Sequence, residues 1–219
     1  MTQKRIAFVS DFDGTITDDD FFTYVANAYF NEHALAPWRA YLLGHKTHFD
    51  ALSEMFSNIH VDVDTLKKLI HTMKIDPKIH DVFALCKEKN IPIYICSAGN
   101  DYYIRELLGN EILDFNIQLA TNPATYSEEN GLIMQKLPSD SPYFDSDVGI
   151  SKYKLVKKLK DDGYFVIFAG DGPPDFDPAR IADVVFAKKI LLQKCKEEGI
   201  PTKYFRGYID ILSYLNEEL

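Results

Sequence analysis

Positive charge is in short supply in this sequence: 24 lysine and arginine residues stand against 33 aspartate and glutamate, a formal net charge of −9. A chain that grips a nucleic-acid backbone needs a basic face, so no nucleic-acid partner is expected. A small anionic ligand stays open, because a metal ion and one or two lysines reverse the sign locally. Long apolar runs are missing as well, none approaching the roughly 18 residues that a membrane-spanning helix needs, so no membrane partner is expected. The N-terminus passes from Met1-Thr2-Gln3-Lys4-Arg5 straight into a strand-like stretch, Ile6 to Ser10. It lacks the apolar region and cleavage site of a signal peptide, and a cytoplasmic location is the default. Cysteine is scarce: Cys86, Cys96 and Cys195 are odd in number, far apart and without metal-ligand spacing. A disulfide framework is not expected, and buried packing roles in a reduced compartment are. There is no internal repeat and no low-complexity tract.

What is present is an ordinary globular composition, 46% hydrophobic and 26% charged over 219 residues, enough for one sizeable core with a small lid. Residues 4–10 read as a buried strand running into an Asp- and Gly-rich turn. From about 20 to 90 the period becomes helical, with stripes Phe21, Phe22, Val25, Tyr29, then Leu52, Met55, Phe56, Ile59, then Leu66, Leu69, Ile70, Met73. Asp76-Pro77 has the form of a helix start. Ile91–Cys96, Tyr164–Ala169 and Val184–Ala187 read as further strands, the first two ending in Ser97-Ala98-Gly99 and Gly170-Asp171-Gly172. Helices are expected over 101–108, from Lys152 behind a Ser151 cap, over 189–198 and over 207–217. Between them, Phe115–Ala120 and Leu132–Leu137 are expected to pair around a Ser127–Gly131 turn, followed by a polar loop over 139–147. Strands alternating with helices, each strand ending in a polar turn, predict an α/β fold with a parallel sheet covered on both faces. Ligands in such folds bind at the carboxyl ends of the strands. The helical insertion falls between the first two core strands, where a lid sits.

Three polar clusters follow strands. Asp11 and Asp13 are two apart, so in an extended segment both carboxylates project to one side and a shared cation relieves their repulsion. Mg²⁺ suits such oxygen donors, and Asp171 and Asp175, four apart, can complete its site. A calcium loop starting at Asp11 fails, since its sixth and twelfth positions hold Ile16 and Phe22 rather than Gly and Glu. Ser97 with adjacent backbone amides can hold one phosphoryl oxygen, and Lys152 can neutralise another. Each of these residues alone is more often a solvated turn or surface residue; their joint presence, in this order, is the signal. His45-x-x-His48 has helical spacing and no third ligand. Trp38, Phe21, Phe22 and Tyr41 are expected to build the lid's core, with one or two lining a pocket.

Asp11-Phe12-Asp13-Gly14-Thr15, Ser97, Lys152 and Gly170-Asp171-Gly172-x-x-Asp175 resemble, in order, the four motifs of the haloacid dehalogenase superfamily. The helical insertion resembles the cap of its phosphoserine phosphatase-like branch. Asp-Phe-Asp-Gly-Thr-Ile-Thr and Phe186-Ala187-Lys188 resemble more narrowly the 2-hydroxy-3-keto-5-methylthiopentenyl-1-phosphate phosphatases. The resemblance implies a Rossmann-like core over 1–17 and 88–219, a helical cap over 18–87, and Mg²⁺-dependent hydrolysis of a small-molecule phosphate ester through an aspartyl-phosphate. It implies Asp11 as nucleophile and Asp13 as acid–base. It places Mg²⁺ on Asp11, the Asp13 carbonyl and Asp171, and the phosphoryl group on Ser97, Ala98, Gly99 and Lys152. Thr15 and Asp175 are supporting residues. Two departures stand out: Pro173-Pro174 precede Asp175 where phosphoserine phosphatases typically have Asn, and Asp20 replaces a substrate-contacting Glu. A phosphomutase, a phosphonate hydrolase with its Schiff-base lysine among Lys46, Lys67, Lys68 and Lys74, and a non-catalytic phosphometabolite-binding protein are the alternatives.

Overall fold

The computed structural model describes residues 4–218. The apolar run β1 (Ile6–Ser10) is followed by five helices, α1 (Phe21–Tyr29), α2 (Ala36–Leu42), α3 (His48–Phe56), α4 (Val63–Ile70) and α5 (Ile79–Glu88), before the chain returns as β2 (Ile93–Asn100). Next come α6 (Asp101–Leu108), α7 (Glu111–Asp114), β3 (Gln118–Asn122), and two short strand pairs, β4 (Ala124–Ser127) with β5 (Gly131–Met134) and β6 (Phe144–Asp145) with β7 (Gly149–Ile150). The remainder alternates: α8 (Lys152–Asp161), β8 (Phe165–Gly170), a 3₁₀ turn at Pro173–Asp175, α9 (Phe176–Ile181), β9 (Val184–Ala187), α10 (Lys189–Glu198), β10 (Lys203–Tyr204) and α11 (Tyr208–Glu218).

Six of the strands form one wholly parallel sheet in the order β10-β9-β8-β1-β2-β3. Period-two alternation sends side chains to both faces. Phe8, Ile93, Ile95, Ile167 and Phe186 enter a core shared with α5, α6 and α11, whereas Ala7, Val9, Val166, Phe168 and Val185 meet Leu155, Val156, Leu159, Leu191 and Cys195 of α8 and α10. The result is a Rossmann-like core with α1–α5 inserted after β1. All three cysteines are free and buried. Among the described residues no helix is long and apolar enough to cross a membrane.

Both connections to the insertion run side by side. Thr17 and Ile75 form an antiparallel bridge, flanked by Asp18 N–H donating to the Lys74 carbonyl at 3.0 Å and Asp76 N–H to that of Ile16 at 2.9 Å. Beyond this double strand, α1–α4 stand over the carboxyl end of the sheet, whereas α5 packs beside α11 in the core. Asp76-Pro77 is not the helix start it resembles. The Asp76 carboxylate accepts from Lys78 N–H at 2.9 Å and from Tyr208 N–H at 3.0 Å, tying a turn to α11, and the helix opens at Ile79.

The strand pairing expected between Phe115–Ala120 and Leu132–Leu137 is also corrected. Residues 118–122 join the main sheet beside β2, and the hairpin is the shorter β4–β5, still closed by the Ser127–Gly131 turn. The loop over 139–147 contains β6. The hairpin buttresses the insertion: β5 packs on α3, and the Tyr126 hydroxyl bonds the Val61 carbonyl. Gly131 sits at φ +72°, and a Cβ there would overlap the Ser57 carbonyl. Gly131→Ala is therefore expected to lower unfolding free energy by about 2–4 kcal/mol, combining left-handed strain with overpacking. A urea-unfolding change below about 0.5 kcal/mol, the range of an ordinary surface substitution, would contradict the contact.

Candidate active site

Parallel strands deliver their carboxyl ends to one edge, and three of them deliver acids or hydroxyls there. Asp11 follows β1, its N–H bonded to the Ala169 carbonyl at 2.9 Å. Asp171 follows β8, and Ser97 lies within the tail of β2. Lys152 arrives from the opposite side as the first residue of α8, behind Ser151, whose hydroxyl accepts from Lys154 N–H.

Lys152 is 4% exposed, and its ammonium lies 2.7 Å from Asp11 Oδ1 and 2.6 Å from Asp175 Oδ1. Burial works to lower this lysine, yet the two carboxylates outweigh it and raise it above the ordinary value. Asp175 is saturated: its other oxygen accepts the Asp171 and Gly172 amides at 2.9 and 3.0 Å. Burial first, then the charges of Asp175 and Asp171, push the Asp11 carboxyl well up, with Lys152 pulling against them. The recorded contacts of the Asp11 carboxylate, to Lys152 and to Phe12 N–H at 2.7 Å, use Oδ1.

Asp13 belongs to a different network. Its Oδ1 accepts from Phe21 N–H at 3.0 Å, and its Oδ2 accepts from the Ser97 hydroxyl at 2.9 Å and from the Tyr103 hydroxyl. Burial raises its carboxyl despite these donors. The Tyr103 hydroxyl is itself pushed well up, by burial and then by Asp13, and keeps its proton. β1 ends at Ser10 and the turn runs over residues 13–16; Asp11 and Asp13 line the same cavity, but their carboxylates bond to different partners.

Asp171 takes the Thr15 hydroxyl on Oδ1 at 2.9 Å and the Lys189 ammonium near Oδ2 at 2.9 Å. Lys189 also donates to the Gly14 carbonyl at 3.0 Å, and Lys188 to that of Thr15 at 3.1 Å, so both lysines after β9 clasp the first acidic turn. Carboxylate oxygens of Asp11, Asp171 and Asp175 lie within 4.8 Å of one another, a buried triad able to coordinate a divalent metal. The donor set fits a hard cation: all oxygen, with Asp11, Asp13, Asp171 and Asp175 outnumbering the two ammonium groups of Lys152 and Lys189.

Above this floor opens a cavity of 460 Å³ that reaches into the insertion. Phe22 stacks on Trp38 at 4.6 Å, Trp38 meets Tyr41 at 5.0 Å, and the His48 ring stands edge-on to both; Leu42, Leu52 and Phe56 complete the wall. Lys152 and Lys189, the lysines lining the cavity, both come from the core. Asp20 stands at the rim with solvent access, yet desolvation and then Asp13 and Asp171 push its carboxyl up to about 7.

A family model described as Putative Phosphatase matches residues 6–196. The chain belongs to that family. It is a phosphoric monoester hydrolase of haloacid dehalogenase type. A 2-hydroxy-3-keto-5-methylthiopentenyl-1-phosphate phosphatase of Bacillus cereus (strain B4264) is 30% identical over 210 residues, covering 94% of this chain and 93% of the relative. In fold, the phosphatase resembles a substrate-bound phosphoserine phosphatase complex (TM-score 0.68, 16% identity, 98% and 99% of the two chains). It also resembles a HAD family hydrolase from Salmonella enterica serovar Typhi (TM-score 0.73, 16% identity, 99% and 72%).

Of the residues singled out in the sequence, the phosphatase brings Asp11, Asp13, Ser97, Ala98, Gly99, Lys152, Asp171 and Asp20 to one cavity. Thr15 and Asp175 lie behind it. Tyr103, Lys189 and His48 are additions. His48 is not a metal ligand paired with His45: it belongs to the aromatic wall, and its Nδ1 is shut off from solvent without a hydrogen-bond partner. Desolvation lowers its pKa from 6.5 to about 4, with Asp147 opposing and Lys152 reinforcing. The unfolded chain then binds more protons than the folded one between these values. Stability from this group is complete above pH 6.5 and drains away as the pH falls through 4. His48→Phe, which keeps an aromatic ring, is expected to flatten the acid limb of the stability profile by about 2 kcal/mol between pH 7 and 4. An unchanged slope in urea titrations across that window would contradict the assignment.

Proposed function

We propose that this phosphatase hydrolyses the monoester of a small alcohol or enol with an uncharged, largely apolar body, by two in-line displacements at phosphorus. The observation that carries the chemistry is the buried Asp11–Lys152–Asp175 cluster at the strand ends, beside an independently held Asp13. Asp11 attacks phosphorus through Oδ2, since Oδ1 is engaged by Lys152 and Phe12 N–H. Asp13, whose burial favours the protonated form, gives its proton to the leaving oxygen and then takes one from the attacking water. Ser97, the Ala98–Gly99 backbone and Lys152 hold the transferring group. Asp11, Asp171 and the Asp13 carbonyl, with Asp175 and Thr15 behind them, would hold Mg²⁺, which would supply charge neutralisation to the phosphoryl group. The inserted cap covers the site from the Thr17–Ile75 double strand onward, which supports assigning α5 to the core and a cap of about residues 18–74 rather than 18–87. Free buried cysteines support a reducing, cytoplasmic setting.

The substrate reading rests on the wall. An amino-acid phosphate presents a carboxylate to the cap, and the cap lining offers aromatic and aliphatic groups with Asp19 and Asp20 at the rim, but no lysine or arginine. That argues against phosphoserine, despite the shared fold. The methylthio enol phosphate named for the Bacillus relatives suits the wall better, since a thioether packs well on aromatic edges.

Asp11→Asn is expected to lower p-nitrophenyl phosphate turnover by about 10³-fold or more, with the far-ultraviolet dichroism unchanged; undiminished turnover refutes the nucleophile. Mg²⁺ is expected to raise the melting temperature of the native protein and not of Asp171→Asn, and equal shifts in both would move the metal elsewhere. In kcat/KM, the methylthiopentenyl enol phosphate is expected to exceed phosphoserine by about 100-fold or more, because the carboxylate would be desolvated without a partner. The reverse order would overturn the substrate reading.

A further inference from the structure

We infer that Tyr103 is a positioning residue for the acid–base step, its hydroxyl keeping the Asp13 carboxyl aimed once Ser97 has turned to the phosphoryl group. The inference rests on the roles proposed above for Asp13 and Ser97.

Three donors hold the Asp13 carboxyl: Phe21 N–H on Oδ1, and the hydroxyls of Ser97 and Tyr103 on Oδ2. They are not equivalent. A serine hydroxyl has one proton to donate. Here the Ser97 hydroxyl gives that proton to Asp13 while accepting from Gly99 N–H at 3.0 Å. If Ser97 donates to a phosphoryl oxygen, it withdraws from Asp13. Phe21 is the first residue of α1, so its amide belongs to the cap and follows any movement of the cap. Tyr103 alone of the three is neither a phosphate ligand nor part of the cap.

Its ring is packed between the cap and the core. Tyr103 is 1% exposed on α6, stacks on Phe21 at 4.4 Å with 20° between planes, and touches Phe12 at 5.9 Å. The hydroxyl reaches Asp13 by passing close over Gly99, where any Cβ would overlap the tyrosine oxygen. Glycine at 99 therefore admits Tyr103 as well as phosphate.

The chemistry makes demands on that carboxyl twice. As Asp11 Oδ2 bonds to phosphorus and the bond from phosphorus to the leaving oxygen breaks, the pair left on that oxygen takes the Asp13 proton. Water oxygen then bonds to phosphorus and gives a proton to Asp13, while the phosphorus–Asp11 bond breaks and returns its pair to the Asp11 carboxylate. A carboxyl that swings between the two events misses both partners, and proton transfer requires hydrogen-bond reach. The proton matters most when the leaving oxygen is strongly basic and little when it is not.

That dependence supplies the test. On Mg²⁺-loaded enzyme, kcat/KM is compared for p-nitrophenyl phosphate and phenyl phosphate, whose leaving groups differ in basicity. Tyr103→Phe keeps the ring and its stacking. It is expected to reduce kcat/KM for phenyl phosphate about 10- to 100-fold and for p-nitrophenyl phosphate by less than about threefold, the signature of impaired acid catalysis. Asp13→Ala is expected to show the same asymmetry more strongly, and adding Tyr103→Phe to it should change the ratio no further. Equal losses on both esters, as a structural role would give, overturn the inference, and so does no loss on either. If Asp13→Ala is asymmetric and Tyr103→Phe is not, the acid assignment stands and the inference about Tyr103 fails. A symmetric Asp13→Ala overturns both.

Discussion

One buried ammonium group organises the catalytic floor. Lys152 sits between Asp11 and Asp175 with almost no access to solvent. A charge in that position is tolerable only when its partners are close and their remaining lone pairs are satisfied. Both partners are within 2.7 Å, and backbone amides hold Asp175 on its second oxygen and Asp11 on Oδ1. Asp175 caps two amides of the turn after β8, and Asp11 takes the amide of Phe12. The parallel sheet holds those amides in register, with Ser10 opposite Ala169 and Gly170 opposite Ala187. The ion cluster depends on the sheet for its geometry, and the ends of β1, β8 and α8 are held to one another by the cluster.

The balance at the floor is incomplete, and the imbalance has a direction. Lys152 and Lys189 face more carboxylates than they can neutralise, and burial pushes Asp11 and Asp13 toward their protonated forms. In the roles proposed above, a protonated Asp11 would be a poor nucleophile, whereas a protonated Asp13 would be a usable acid. The two carboxyls sit in different surroundings: Asp11 belongs to the buried triad with Asp171 and Asp175, whereas the Asp13 carboxylate lies in its own network of hydroxyl and amide donors. Two chemically identical side chains two residues apart are thereby given different partners by position alone.

How much of this the sequence discloses depends on whether the signal is local. Strands were legible because apolar, β-prone runs are a local pattern: β1, β8 and β9 lie within a residue or two of their expected bounds, whereas β2 runs on through Ser97-Ala98-Gly99 to Asn100. Lys152 was legible only through the order of the motifs, since a lysine at a helix start reads otherwise as a solvated surface group. Asp76 misled because its carboxylate is committed to Tyr208 N–H, 132 positions away. The register of residues 115–137 misled because the apolar run at Phe115–Ala120 is equally suited to a hairpin and to the edge of the main sheet, and the choice is made by pairing with β2. Tyr103 had a weaker signal that went unread: a tyrosine in the buried stripe with Ile104 and Leu108 must find a partner for its hydroxyl.

The same division explains why chemistry is easier to read here than substrate. The floor uses charge, and charges at strand ends leave motifs. The wall uses Phe22, Trp38, Tyr41, Leu42 and Leu52, residues whose spacing is that of any amphipathic helix packing on its neighbours. What separates a substrate wall from an ordinary cap core is only that these side chains face the cavity and that no lysine or arginine stands among them. On the reading proposed above, a second anionic group held against the cap wall would lose its hydration with no cap lysine or arginine to pair with, while an apolar body would lose nothing by entering. On that reading the core would hold the phosphate and the cap the organic part, so that discrimination and bond cleavage would fall to different layers of the fold; the layers are joined at Asp13, where Phe21 N–H from the cap and Tyr103 from the core meet on one carboxyl.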